Sequence, residues 1–229
     1  MLNLKPERLD AGEFNEQPLS ICGKAFIADS SGSLYWPAEQ ALIVADLVLP
    51  STSGSSVGDM LTALAQAIDR TRAMTVICLG NGLGQSDVRG IRDEDLDTLR
   101  MLQDDREWIW ISQFQESEPT LELGGHVRSE LVVEGLTLRH QPRVAAVTHE
   151  IAGALRPAAR ISVNEHSIRR PCFAGNGRRL ILPAFAAFSG GLNVLDRTFA
   201  PLFGNGGQSV WMLGQEGLYP IASRLLRED

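Results

Sequence analysis

An α/β fold built on two packed sheets is what the sequence predicts, and three observations carry the prediction. Short, nearly continuous apolar runs of β-forming residues, Ala41 to Leu49, Thr75 to Leu79 and Trp108 to Ile111, read as strands buried on both faces. Segments with apolar residues three and four apart separate them, as amphipathic helices require. After Gly124-Gly125 the pattern changes to closely spaced strands, so a second sheet follows the first. With 229 residues, 44% of them hydrophobic and 21% charged, the chain can bury a substantial core.

Taken in order, Leu19 to Ala28 reads as a strand, turned at Asp29-Ser30-Ser31-Gly32 into Leu34 to Trp36. Ala41 to Leu49 follows and stops at Pro50. A Ser/Thr/Gly loop, with Ser56 and Asp59 in capping-box spacing, leads into a helix carrying Val57, Met60, Leu61, Leu64, Ala67 and Ile68. Thr75 to Leu79 is the next strand, and the glycine-rich loop Gly80 to Gly84 follows it. Asp93-Glu94-Asp95 opens a second helix through Leu96, Leu99 and Leu102, because acidic residues favour a helix N-terminus. Beyond Gly125, strands are expected at Leu131–Val133, Leu136–Leu138, Val144–Thr148, Arg160–Val163, Pro171–Phe173 and Leu180–Phe185. No repeat or linker divides the chain, so residues 1–229 are expected to form one domain.

Composition narrows the function classes. No apolar run reaches the ~20 residues of a membrane span and no basic-then-apolar leader opens the chain, which leads to the expectation of a cytoplasmic protein with no membrane partner. Cys22, Cys78 and Cys172 are widely spaced, without a C-x-x-C pair, so neither a disulfide framework nor a cysteine zinc site is indicated. The net charge of −7 opposes nonspecific nucleic-acid binding, but it is unevenly spread. Between Gly135 and Leu180, Arg139, Arg143, Arg156, Arg160, Arg169, Arg170, Arg178 and Arg179 face only Glu150 and Glu165, a local +6 that leaves −13 for the rest. The segment is either a basic face or a set of solvent-facing strand arginines.

Loops that follow buried parallel strands carry the chemistry of α/β proteins. Here they hold Asp46-Leu47-Val48, Gly80-Asn81 and Ser112-Gln113-Phe114-Gln115, joined by Arg139-His140-Gln141-Pro142 and by Glu150 to Ala158. The succession ADL, LG, WIWI, LRHQP, EIAGALRPAAR, RRPCF and LILPAFAAFSGGLNV resembles the calcineurin-like metallophosphoesterases, over roughly residues 20 to 195. More narrowly it is similar to the ligase-associated bacterial branch described as a DNA damage response endonuclease. The resemblance implies an αββα sandwich, two packed β-sheets flanked by helices.

Members of that family hold two metal ions through D-x-H, G-D, G-N-H-D, a lone His and G-H-x-H. Carried over position by position, Asp46 and His140 match. Val48 replaces the first histidine and Asn81 the aspartate. Gln113, Phe114 and Gln115 replace Asn, His and Asp, and Ala154 and Arg156 replace the last two histidines. Two strong ligands are too few for a two-metal centre, and Arg156 would put a permanent cation where a dication belongs. The expectation is no cofactor, or manganese or zinc at low occupancy on Asp46 and His140, with all these side chains converging around Asp46. Arg156 is expected to pair with Asp46 or to face an anion, and Arg139 and Arg160 are further candidates for anion or nucleic-acid contacts.

Plainer roles exist for the retained residues. Asp46 can cap a turn, His140 can be a hydrogen-bonded structural histidine, and His126, His149 and His166 match no ligand position. The function expected is that of an inactive or strongly impaired relative acting as a DNA- or protein-binding module in DNA repair. DNA and ligase-associated repair proteins are its expected partners, and a homodimer is open. The alternative is a residual phosphoesterase or nuclease with a one-metal site rebuilt from residues such as His149 or Asp87. A remote third reading is a serine hydrolase, since Gly54-Ser55-Ser56-Val57-Gly58 matches G-x-S-x-G. That loop, however, lies too far past its strand for Ser56 to stand on a nucleophile elbow.

Overall fold

The computed structural model describes residues 16–47, 57–80, 92–112, 123–144, 149–163, 166–186, 190–204 and 207–229. The first sheet has seven strands in chain order: β1 (Glu16–Ile21), β2 (Lys24–Asp29), β3 (Leu34–Trp36), β4 (Ala41–Ala45), β5 (Thr75–Leu79), β6 (Glu107–Ile111) and β7 (His126–Arg128). Strands β1 to β4 are antiparallel and β4 to β7 parallel. Helices α1 (Val57–Thr71) and α2 (Asp93–Gln103) make the two crossovers between β4, β5 and β6.

The second sheet contains β8 (Glu130–Val133), β9 (Leu136–Arg139), β10 (Glu150–Ala152), β11 (Pro157–Val163), β12 (His166–Gly175), β13 (Arg179–Ile181), β14 (Leu192–Asn193), β15 (Ser209–Leu213) and β16 (Leu218–Ile221). Its order is β14-β11-β12-β13-β10-β9-β8, and β15 joins β12 to β16. Strands β9, β10 and β13 run parallel. Only Ser129 separates β7 in the first sheet from β8 in the second, so one strand crosses from sheet to sheet.

Alternation along the strands builds three apolar layers. Ala41, Ile43 and Ala45 of β4 and Ile109 and Ile111 of β6 point between the sheets, where they meet Leu136, Leu138, Ile151, Phe173 and Leu180. Leu42, Val44, Trp108 and Trp110 point to the other face and bury Met60, Leu61, Leu64 and Ile68 of α1 and Leu99 of α2. The outer face of the second sheet is covered by Phe199, the short helix α3 (Ala200–Phe203) and Leu226. Each fully buried aliphatic or aromatic side chain contributes about 1.5–3 kcal/mol of transfer free energy. The fold is therefore the α/β, two-sheet sandwich expected, with the long helices packed on the first sheet.

Several expected boundaries shift for local reasons. Leu19 to Ala28 is two strands, because the chain reverses at Cys22 (φ 56°) and Gly23 (φ 74°), a two-residue turn with both angles positive. The same turn chemistry at Glu134 and Gly135 joins β8 to β9 as expected. The expected strand at Val144–Thr148 falls mostly outside the described residues; Glu150–Ala152, which the sequence presents as loop, is a strand. Leu180–Phe185 keeps strand pairing only to Ile181. Beyond it, Leu182 N–H donates to the Ala152 carbonyl and Phe185 N–H to the Ala45 carbonyl, both at 2.8 Å, so this segment bridges the two sheets. Nothing had been expected after Val194, where α3, β15 and β16 are found.

An ionic cluster lies inside the second sheet. Glu150 is fully buried and meets Arg179 (Nε to Oε2, 2.6 Å; guanidinium 1% exposed) and Arg139 (Nε to Oε1, 3.1 Å). Arg179 donates from Nη1 to the Leu202 carbonyl at 2.6 Å and from Nη2 to the Arg143 carbonyl at 2.8 Å. Two arginines of the supposed basic segment are thus internal, and Arg139 also pairs with Glu130 at 2.8 Å. Breaking such a cluster strands a buried cation, so Glu150→Ala is expected to lower unfolding free energy by roughly 3–5 kcal/mol in a denaturant titration. A loss under 1 kcal/mol would contradict the assignment.

The three cysteines are free. Burial pushes the Cys78 and Cys172 thiols well above their ordinary range, while Cys22 is raised less and partly accessible. In the native state a maleimide titration is expected to label Cys22 slowly and the other two only after unfolding.

Candidate functional site

The parallel strands of both sheets end at one rim of the sandwich. Asp46 follows β4, Gly80 follows β5, Ser112 follows β6, His140 follows β9 and Gly153 follows β10. Carboxyl ends of parallel strands are where an α/β scaffold can present side chains with little of its own backbone in the way. The two sheets are in close contact here. An added Cβ on Gly153 would lie 3.0 Å from the Leu79 carbonyl oxygen and 3.1 Å from Ala45 Cβ.

At the centre, Asp46 is 4% exposed and adopts φ 46°, a left-handed conformation that Asp accepts more readily than most residues. Its N–H donates to the Leu79 carbonyl at 3.1 Å. Both carboxylate oxygens are engaged by side chains from the second sheet. Oδ1 is 3.0 Å from His140 Nε2, and Oδ2 accepts from Arg156 Nε at 3.2 Å.

Glycines shape this contact. A Cβ on Gly80 (φ 93°) would fall 2.5 Å from the His140 imidazole and 3.1 Å from Asp46 Oδ1. Arg156 (φ 47°) and Ala154 (φ 67°) both hold left-handed backbone in the loop between β10 and β11. The Arg156 carbonyl accepts from Leu192 N–H at 3.0 Å, and Gly191 (φ 90°) lies so close to it that no side chain fits there. The segment Gly190–Asn193 therefore sets the backbone from which Arg156 reaches Asp46.

Of the residues singled out in the sequence, Asp46, His140 and Arg156 are brought into contact, and Ala154 stands two residues from Arg156 with no donor atom to offer. Val48, Asn81, Gln113, Phe114, Gln115, Ser56 and Asp87 lie outside the described residues. Arg139 is committed to Glu130 and Glu150 beneath the rim and is 12% exposed, so its guanidinium is held inside the fold where the sequence suggested an anion contact. Arg160 is on β11, bonded to Ser167 Oγ at 2.7 Å. His149 is exposed in the loop before β10, and His126 is on β7. Sequence reasoning did not single out Gly153, Gly191 or the acid Glu150 as shaping the rim. Their signal was present in GALRP and in GGLN, where a glycine sits at a close approach.

The donors among the described residues do not by themselves fit a two-metal centre. Among the described residues no group of three or more His, Cys, Asp or Glu is placed to hold an ion. Asp46 and His140 supply one carboxylate and one imidazole, and the second carboxylate oxygen is bonded to a permanent cation.

Fold and rim together define an α/β protein of two packed sheets whose parallel strands end at a shared rim. No family model matches the chain, and no curated protein matches it. Among solved structures, the crystal structure of Pseudomonas putida nuclease MPE superposes with a TM-score of 0.71 at 23% identity, covering 90% of this chain and 100% of that one. The likeness is one of fold.

The Gly80 contact yields a direct test. Gly80→Ala is expected to push His140 off Asp46 and cost about 1–3 kcal/mol in unfolding free energy, with the His140 ring resonances shifted in an NMR spectrum. Unchanged stability and unchanged resonances would refute this packing.

Proposed function

We propose that this chain is a nuclease-fold protein that has exchanged metal chemistry for an arginine-centred site, and that it binds phosphate-bearing partners without cleaving them. The observation that supports this reading is the Arg156–Asp46 contact at 3.2 Å. A metal-dependent phosphoesterase needs that carboxylate free to coordinate an ion that polarises phosphorus and lowers the pKa of water. Here the carboxylate is neutralised by a guanidinium, and no hydroxide-generating centre is built from the described residues.

Chemically, the site keeps three capacities. Asp46 orients His140 through Nε2 and holds Arg156 through Nε. The remaining guanidinium nitrogens of Arg156, whose side chain is 46% exposed, are left to meet an oxyanion in the fork geometry that suits phosphate. DNA is the partner class the reading favours, in the setting of ligase-associated repair that the sequence resemblance implies.

Elemental mass spectrometry on protein purified without chelator, before and after incubation with manganese and zinc, is expected to find well under one ion per chain. Such protein should leave bis(p-nitrophenyl) phosphate and single-stranded DNA uncut. One or two tightly held ions per chain, with cleavage abolished by Asp46→Asn, would overturn the proposal in favour of the metal-dependent alternative.

A further inference from the structure

Arg160 and Arg169 are directly opposite each other on the antiparallel strands β11 and β12. Like charges in register on neighbouring strands repel, so something must compensate them. Part of the compensation comes from Asp229, whose carboxylate accepts from Arg169 Nε at 2.9 Å and from Nη2 at 3.1 Å. The other edge of the same guanidinium donates to the carbonyls of Gly190 (3.0 Å) and Gly191 (2.8 Å). Arg160 has only neutral partners among the described residues, Ser167 Oγ and the Glu228 carbonyl. The one carboxylate is thus bonded to Arg169 and acts on Arg160 only through space.

The acid is delivered by a segment laid along β11. Leu226 bridges to Ile161, Arg227 N–H donates to the Arg160 carbonyl at 2.8 Å, and Asn193 Nδ2 donates to the Arg227 carbonyl at 2.9 Å. Arg169 holds the Asp229 carboxyl below its ordinary range, with smaller help from Asn193 and Arg160. Its side chain is nonetheless 48% exposed, so an outside anion can reach the guanidinium edge it occupies.

We propose that the Arg160–Arg169 pair is a phosphate seat that the chain's own Asp229 keeps filled. A phosphate group carries up to two negative charges and three acceptor oxygens, enough to engage Arg169 through two parallel bonds and still answer Arg160. A carboxylate answers only one of them. Phosphate entry displaces the Asp229 carboxylate from Arg169, while Leu226 stays packed on the second sheet. The seat is built from residues other than Asp46, His140 and Arg156, so it stands or falls separately from the function proposed above.

The test compares the full chain with Asp229→Asn, using inorganic phosphate in calorimetry and a fluorescein-labelled single-stranded oligonucleotide in anisotropy over a salt series. Asp229→Asn is expected to bind about tenfold more tightly, since a competing charge-assisted pair is removed. Adding Arg160→Gln should abolish most of that gain and reduce the salt slope by about one charge. A gain for free phosphate identifies the free ion as sufficient; a gain confined to the oligonucleotide assigns the seat to a nucleic-acid backbone. Equal affinities of the parent and Asp229→Asn for both probes would overturn the proposal. So would a gain that vanishes when Arg156→Ala is added, because the anion would then be bound at the Asp46 rim.

Discussion

Much of the second sheet is organised around one buried carboxylate. Glu150 has no exposure to water, and leaving such a charge unpaired in low dielectric would cost several kcal/mol. Arg179 and Arg139 come to it from the strands on either side, and Arg179 spends its outer nitrogens on the carbonyls of Leu202 and Arg143. The register of β9, β10 and β13 is thereby tied to a specific ionic geometry, in addition to apolar packing that tolerates sliding. Because His140 follows β9 and the Ala154–Arg156 loop follows β10, that register also decides which side chains meet Asp46 across the sandwich.

The rim repeats the same economy on a smaller scale. A carboxylate from one sheet receives an imidazole and a guanidinium from the other, so the Asp46 contacts fasten the sheets together while defining the chemistry between them. Left-handed backbone at Asp46, Ala154 and Arg156 concentrates local strain at this edge. The bridging segment from Leu182 to Phe185, hydrogen-bonded to both sheets, holds it in place.

The strands and helices were legible wherever burial is complete and periodicity follows from it. Thr75–Leu79, Trp108–Ile111 and the α1 stripe from Met60 to Ile68 read correctly for this reason, whereas the run expected from Ala41 to Leu49 leaves strand pairing after Ala45, where Asp46 takes a left-handed φ of 46°. The reversal at Cys22-Gly23 was hidden because Cys is not a customary turn residue, and β10 was hidden because Glu150 looks like a loop residue until its arginine partners are known. At the rim, Asp46, His140 and Arg156 could be named from the family resemblance, carried over position by position onto loops near strand ends. The arginines were harder: a linear count of +6 cannot distinguish Arg179, sealed around Glu150, from Arg178, which faces water. Charge in a sequence is a sum, whereas charge on a surface depends on which partners the topology supplies.

The single residue between β7 and β8 has a kinetic consequence. β7 ends the first sheet and β8 ends the second, and Ser129 alone lies between these two edge strands. The seven-stranded sheet cannot complete its β6–β7 pairing without delivering β8 to the position where the nine-stranded sheet must begin. The placing of the two edges is therefore linked, and pairings between segments so distant in sequence are of the kind that slows folding.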